Sequence, residues 1–134
     1  MSVERKLKAL ILSGDYYHKA EDAFVGVGDV LRGLGIEVAT TADYASLGRE
    51  SLADKDLLVI LRDGVEGHPN EPHPWMQPEQ EEAIEEFVLR GGAFLALHNS
   101  GWGYPWKGGY RRTLGGYFVG HPPYAAFHVE VVNR

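Results

Sequence analysis

The segment that most constrains the fold is an apolar run preceded by glycines and stopped by polar side chains. Two glycines precede the five apolar residues 93–97, and His98, Asn99 and Ser100 follow them. Five residues are too few for a helix but enough for a strand, so the run predicts a central strand covered on both faces. In open α/β sheets the ligand crevice lies beyond the carboxyl ends of the strands. We therefore expect the three polar residues at the floor of such a crevice.

Other apolar segments predict the remaining strands. They lie at residues 7–12, 36–40 and 57–61, with a last strand near 127–132. Helical spacing of apolar residues predicts connecting helices over 20–34, 78–90 and 110–115. Because strands alternate with helices, the pattern predicts an α/β fold in one domain, with a doubly wound, mainly parallel sheet and helices on both faces.

Two segments have no strong pattern. Residues 43–55 indicate loops around a weak helical turn, and residues 62–77 contain Pro69, Pro72, Pro74 and two histidines. A structureless loop of this length in a small domain is typical of a functional lid or a flexible segment.

Composition excludes several classes of function. With 19 acidic against 13 basic residues and a net charge of −6, the chain lacks the basic face that nucleic acids or anionic membranes require. It contains no cysteine, which excludes disulfides, thiolate metal ligands and a cysteine nucleophile. The apolar run at residues 9–12 is too short for a signal-peptide core or a membrane span, so we expect a soluble cytoplasmic protein.

Two sequence blocks carry a resemblance to a known family. The first is Pro78-x-Gln80 opening a helix, a glycine pair, and Phe94 to His98 at the strand end; the second is Leu114-Gly-Gly-Tyr-Phe followed by His121-Pro122. The chain resembles the trehalose-utilisation (ThuA-like) family, a branch of the class I glutamine amidotransferase-like superfamily. This resemblance implies a flavodoxin-like fold and a role in using trehalose or a related keto-disaccharide.

The sequence departs from these relatives at two places. Glutamine amidotransferases carry a cysteine on a strained elbow after this strand, and the chain has His98 there, so glutaminase chemistry is excluded. Family members also continue after the His-Pro block, so we expect the chain to lack the family's closing C-terminal elements. An apolar patch left uncovered for that reason predicts self-association into a homo-oligomer.

Ten residues are candidates for the site. Imidazoles can act as acid or base near neutral pH, or hold a divalent metal such as zinc. The histidine spacings match no tight ligand motif, so the cofactor stays open and a metal is not favoured. His68 and His73 on the long loop are typical solvated histidines. The catalytic candidates are His98, His121 and Asp15, and the ligand-binding candidates are His18, Asp63, Asn99, Ser100, Trp102, Trp106 and Tyr110.

Each prominent candidate also has a structural explanation. His98 can cap the strand turn, His121 can pack, and Ser100 lacks the first glycine of a nucleophile elbow and fits turn chemistry. The aromatic residues after the elbow suit stacking on sugar rings, although some of them can simply close the core.

Two functions remain open from sequence. The first is an enzyme that hydrolyses or isomerises a sugar or keto-sugar, with His98 as acid or base. The second is a non-catalytic carbohydrate-binding or protein-interaction domain with a degenerate site. No complete set of nucleophile, base and acid is visible, which lowers the weight of the enzyme hypothesis without removing it.

Overall fold

The computed structural model describes residues 5–67, 70–105 and 107–132. Its centre is a four-stranded sheet in which every pairing is parallel. The strand order is β2-β1-β3-β6. These strands are β1 (Lys8–Ser13), β2 (Glu37–Thr41), β3 (Leu57–Leu61) and β6 (Ala93–Ala96). The predicted α/β class and the positions of these strands are confirmed to within one residue.

Helices cover the two faces of the sheet with separate apolar clusters. On one face, α1 (Ala20–Gly33) packs Ala23 and Leu31 against Ile11 and Val59. On the other, α3 (Pro78–Leu89) contributes Ile84 and Phe87 to a larger cluster. This cluster also includes α2 (Arg49–Leu52) and α4 (Gly109–Leu114). The predicted arrangement of helices on both faces is therefore confirmed, and β1 and β3 form the buried centre of the sheet.

Strand β6 is an edge strand, which corrects the prediction of a central strand covered on both faces. Among the described residues it pairs only with β3, and Leu95 is 41% exposed. The apolar run does not predict this position in the sheet, because a half-covered edge strand and a buried central strand can have the same composition.

The predicted strand near 127–132 is wrong. Residues 127–132 have no strand pairing, and Phe127 is 86% exposed. Alternating apolar residues form a strand only where a neighbouring strand accepts the hydrogen bonds and a core covers one face. Neither condition is met within the described part of the chain.

The long loop after β3 is more ordered than the sequence indicates. It contains a short antiparallel ladder between β4 (Val65–Glu66) and β5 (His73–Pro74). Trp75 is buried and its indole Nε1 donates to the carbonyl of Asp63 at 2.7 Å. The loop is thus anchored beside the carboxyl end of β3, while His68 and Pro69 lie outside the described residues. In the same described ranges, no helix has the length and apolar character needed to cross a bilayer.

Candidate functional site

The candidate site lies where β1, β3 and β6 end on one edge of the sheet. Asp15 follows β1, Asp63 follows β3, and His98 follows β6. Since parallel strands bring their carboxyl ends to the same edge, residues separated by up to 83 positions meet there. Hydrogen bonds connect these ends directly, because the Asp63 amide donates to Asp15 at 3.2 Å.

The carboxylate of Asp15 is the hub of this edge. Its side chain is fully buried, and the loop after β1 wraps around it. Oδ1 accepts from the backbone amides of Tyr17 and His18, each at 2.9 Å, and from His18 Nδ1 at 2.7 Å. Oδ2 accepts from the Asp63 amide and, at 2.7 Å, from Asn99 Nδ2. Burial opposes the ionisation of Asp15. The hydrogen bonds from the side chains of Asn99 and His18 and from the backbone amides of Tyr17 and Asp63 outweigh it and hold the pKa of Asp15 below its ordinary value.

Two histidines extend this hub into a chain of hydrogen bonds. His18 faces Asp15 with Nδ1 and reaches His98 Nε2 with its own Nε2 at 3.1 Å. The two imidazole rings lie edge to face, with centroids 4.9 Å apart. The arrangement Asp15, His18, His98 is therefore a relay whose buried end carries a negative charge.

His98 has a left-handed backbone. Its φ is +53°, the one positive value among the described non-glycine residues. Such a conformation costs energy for a residue with a Cβ and persists where the surrounding structure enforces it, which is common at functional sites. The sequence predicts a turn at His98, and the structure adds that this residue, which we call the elbow, has a strained backbone.

The side-chain amide of Asn99 uses its nitrogen in a hydrogen bond, whereas its oxygen has no partner among the described residues. Nδ2 donates to Asp15, which fixes the amide orientation, because the reversed amide would place an oxygen against the carboxylate. Oδ1 is buried and accepts no hydrogen bond from the described residues. Asn99 therefore joins the first and last strands of this edge.

A cavity of about 550 Å³ opens above the relay. Trp102, 38% exposed, forms part of its wall. The loop carrying Trp102 docks on β3 through a 2.8 Å hydrogen bond from the Gly64 amide to the Trp102 carbonyl. A Cβ at Gly64 would lie 2.4 Å from the backbone of Gly103, so glycine is required for this approach. The lining residues are Tyr17, His18, Asp63, His98, Asn99, Trp102, Phe118 and His121.

Six of the ten predicted site residues line this cavity: His18, Asp63, His98, Asn99, Trp102 and His121. His121 lies in the wall and hydrogen-bonds the Pro122 carbonyl at 2.9 Å through Nδ1. Asp15 does not line the cavity, and its hydrogen bonds to His18, Asn99 and the Asp63 amide connect it to three residues that do. Tyr17 and Phe118 also line the cavity and were missed, although Tyr17 directly precedes His18 in the loop after β1.

Two other predicted residues lie outside the cavity. Ser100 is fully buried, and its hydroxyl donates to the carbonyls of Ile60 and Leu97. Tyr110 is fully buried in the core, and its hydroxyl donates to the Ser100 carbonyl at 2.8 Å. The structure therefore gives both residues structural contacts, while Trp106 lies outside the described residues. In the described ranges no three His, Asp or Glu side chains are grouped as metal ligands.

The sequence of the chain matches the profile of a known protein family. The profile of the ThuA family, described as trehalose utilisation, matches residues 8–134. The chain belongs to the ThuA family. The family resemblance carried by the two sequence blocks is thereby confirmed.

A solved structure supports the fold of this ThuA chain. It is a protein from Bacteroides uniformis ATCC 8492 described as ThuA-like, with a TM-score of 0.59 and 20% sequence identity. The alignment covers 86% of this chain and 46% of that one, so the ThuA chain spans less than half of its length. At this identity the likeness shows the fold alone. No curated protein is significantly similar to the chain.

Proposed function

We propose that this ThuA protein binds a carbohydrate in the cavity at the carboxyl ends of the strands and transfers a proton on it, with His98 as the base. The observation that carries the proposal is the relay in which His18 lies 2.7 Å from Asp15 and 3.1 Å from His98. An imidazole on a strained elbow, supported by a second imidazole and a buried carboxylate, is an arrangement suited to general base catalysis.

In this proposal the Asp15 carboxylate selects the tautomers of the relay, with Nδ1 of His18 as the donor to Asp15 although Asn99 Nδ2 also lies 3.2 Å from it. Since the Asp15 carboxylate accepts from His18 Nδ1, the neutral His18 ring has an unprotonated Nε2. That nitrogen accepts from His98 Nε2, which leaves Nδ1 of His98 without a proton. Nδ1 can then take a proton from a ligand, and the positive charge that results is stabilised through His18 by Asp15.

The cavity walls support a sugar as the ligand. Tyr17, Trp102 and Phe118 present aromatic rings, which stack on the apolar faces of sugar rings. Asp63 and Asn99 place polar groups between them. A volume of about 550 Å³ lies within the range of small-molecule sites.

Proton transfer next to a carbonyl fits the site better than nucleophilic hydrolysis. The one serine in the elbow, Ser100, has its hydroxyl committed to backbone carbonyls and does not line the cavity. An isomerisation of a keto-sugar needs only a base and an acid, because no covalent intermediate forms. We therefore favour an isomerase of keto-sugars over a hydrolase.

Deuterium exchange tests this function. The protein is incubated in D₂O with fructose, lactulose, turanose and isomaltulose, and proton NMR follows the loss of signal at the carbon next to the carbonyl. We expect exchange with at least one sugar, and loss of exchange in His98→Gln. The matched control is His73→Gln, because His73 is exposed in β5 and lies outside the cavity.

Titration calorimetry with the same sugars separates the two functional classes. Binding without exchange in the wild-type protein would favour the non-catalytic carbohydrate-binding domain. Absence of both binding and exchange would refute the proposal.

A further inference from the structure

We propose that Asp63 is the catalytic acid of the same cavity, donating a proton to the ligand's carbonyl oxygen while His98 removes a proton from the neighbouring carbon. This inference rests on the proposed function and adds the second group that the reaction requires. Asp63 is 3% exposed, yet it lines the cavity at the end of β3. It also lines an adjoining cavity of about 260 Å³, whose wall shares Tyr17 and Trp102 with the first.

The backbone holds the Asp63 carboxyl group in place. Its amide donates to Asp15 at 3.2 Å, and its carbonyl accepts from Trp75 Nε1 at 2.7 Å. Oδ1 accepts from the Val65 amide at 3.2 Å. Within residues 5–67, 70–105 and 107–132, no hydrogen bond is donated to Oδ2, so this oxygen can carry a proton.

The neighbouring guanidinium does not neutralise Asp63. Arg62 lies 4.5 Å over the ring of Tyr44, donates to the Gly14 carbonyl, and forms no ion pair with a described carboxylate. Asp63 is thus a buried carboxyl group that forms no ion pair with a cationic side chain in the described part of the chain.

The two carboxyl groups of the site differ in their support. Asp15 has five hydrogen-bond donors, whereas one described donor reaches the carboxyl group of Asp63. Burial, followed by the charge of Asp15, raises the pKa of Asp63, while Val65, Arg62 and His18 oppose that rise. The raised pKa favours the protonated form of Asp63, which a proton donor needs, whereas the lowered pKa keeps Asp15 as the charged end of the relay behind His98.

The reaction balances with these two groups. His98 Nδ1 takes the proton of the carbon next to the carbonyl, and the electrons of that C–H bond form a carbon–carbon double bond. The carbonyl π electrons move to oxygen, which takes the proton from Asp63 and gives an enediol. Asp63 then takes the proton of the other enediol hydroxyl, so that a carbonyl forms at that carbon, and the electrons of the double bond take the proton of His98 onto the former carbonyl carbon. This gives the isomerised sugar and restores both residues.

Asp63→Asn provides the main test, because it keeps the shape and the acceptor for Val65 but removes the acidic proton. We expect deuterium exchange and isomerisation of the reactive keto-sugar to fall by about 100-fold or more, the usual scale of an acid catalyst. The dissociation constant should stay within about threefold, because neutral amide and carboxyl groups bind hydroxyls similarly. Asp63→Glu should recover part of the lost rate.

The pH profile distinguishes an acid from a structural residue. Wild-type kcat should fall as pH rises through the pKa of Asp63 in the complex, because the proton donor is then lost. Asp63→Asn should lack this limb. Among the described residues, the charged or titratable groups near Asp63 are Asp15, Arg62, His18, His98, His121, Tyr16, Tyr17 and Tyr104. Arg62→Lys serves as a control for the local field.

The outcomes separate this inference from the proposed function. If His98→Gln is inactive while Asp63→Asn keeps more than about a third of the wild-type rate, Asp63 is not the acid. Joint loss of stability and binding in Asp63→Asn would show a structural role and also overturn the inference. A wild-type protein that exchanges no keto-sugar proton overturns the proposed function and this inference with it.

Discussion

We predict that His98→Gly will be more stable than His98→Ala, although glycine is normally the more destabilising residue. At φ +53° an L residue with a Cβ costs roughly 1–2 kcal/mol, which glycine avoids. Glycine loses about 0.4–1 kcal/mol through the greater freedom of the unfolded chain. The net difference is about 0.5–1 kcal/mol in favour of the glycine variant. Both variants lose the hydrogen bond to His18, which costs about 1 kcal/mol at most at this exposed position.

Urea denaturation and thermal melting measure this difference. For a chain of 134 residues, it corresponds to a melting temperature about 2–4 °C higher for His98→Gly than for His98→Ala. The control is the same pair of substitutions at His73, which has no positive φ and lies in β5. There the order should reverse, because alanine is favoured over glycine in an extended segment.

Deuterium exchange on the same variants tests whether His98 is the catalytic base. Both His98→Ala and His98→Gly should lose exchange, since neither carries an imidazole. A glycine variant no more stable than the alanine variant would refute the strained elbow. Retained exchange in either variant would refute the role of His98 as base.

Three further results are expected. Ser100→Ala should lower the free energy of unfolding in urea by about 1–2 kcal/mol, since its buried hydroxyl serves two carbonyls, and leave sugar affinity within about threefold by calorimetry; lost affinity with full stability would contradict this. Because the pKa of Asp15 is lowered, its carboxylate stabilises the fold above the ordinary value of 3.8, and this stabilisation is lost as the pH falls from 3.8 through the lowered pKa. Over that pH range the free energy of unfolding of Asp15→Asn should fall less steeply than that of the wild type. If the open edge of β6 causes self-association, Leu95→Lys should lower the mass measured by light scattering at high concentration; an unchanged mass would exclude this edge.

The sequence predicts the sheet well because its strands are short apolar runs between polar ends. It does not predict where each strand lies in the sheet, since β6 is as apolar as β3 and yet is an edge strand. Residues 127–132 show the opposite limit. Their alternation is typical of a strand, yet they pair with no strand among the described residues. Strand identity is a local property of the chain, whereas strand position depends on the other elements.

The sequence also predicts which edge of the sheet holds the site, but not the direction of each side chain. His98, Asn99 and Ser100 are consecutive, and a 3₁₀ turn over His98–Gly101 sends the first two to the cavity and the third into the core. The link between Asp15 and His18 was not predicted, because the short loop folds back on its own carboxylate. Such a turn depends on amide donors that a pattern of side chains does not reveal.

Because β6 pairs with one neighbour, β3, among the described residues, the strand alone holds His98 less firmly than a central strand would. The position of His98 must therefore be fixed by its turn. Two buried hydroxyls hold the turn from the core: that of Ser100 shares its proton between the carbonyls of Ile60 and Leu97, and that of Tyr110 donates to the Ser100 carbonyl. These bonds attach the elbow to the buried strand β3 and to α4, so the core supplies the rigidity that a central strand would otherwise give. It follows that Ser100→Ala should reduce turnover more than affinity, since the loosened elbow displaces the base and leaves the Trp102 wall in place.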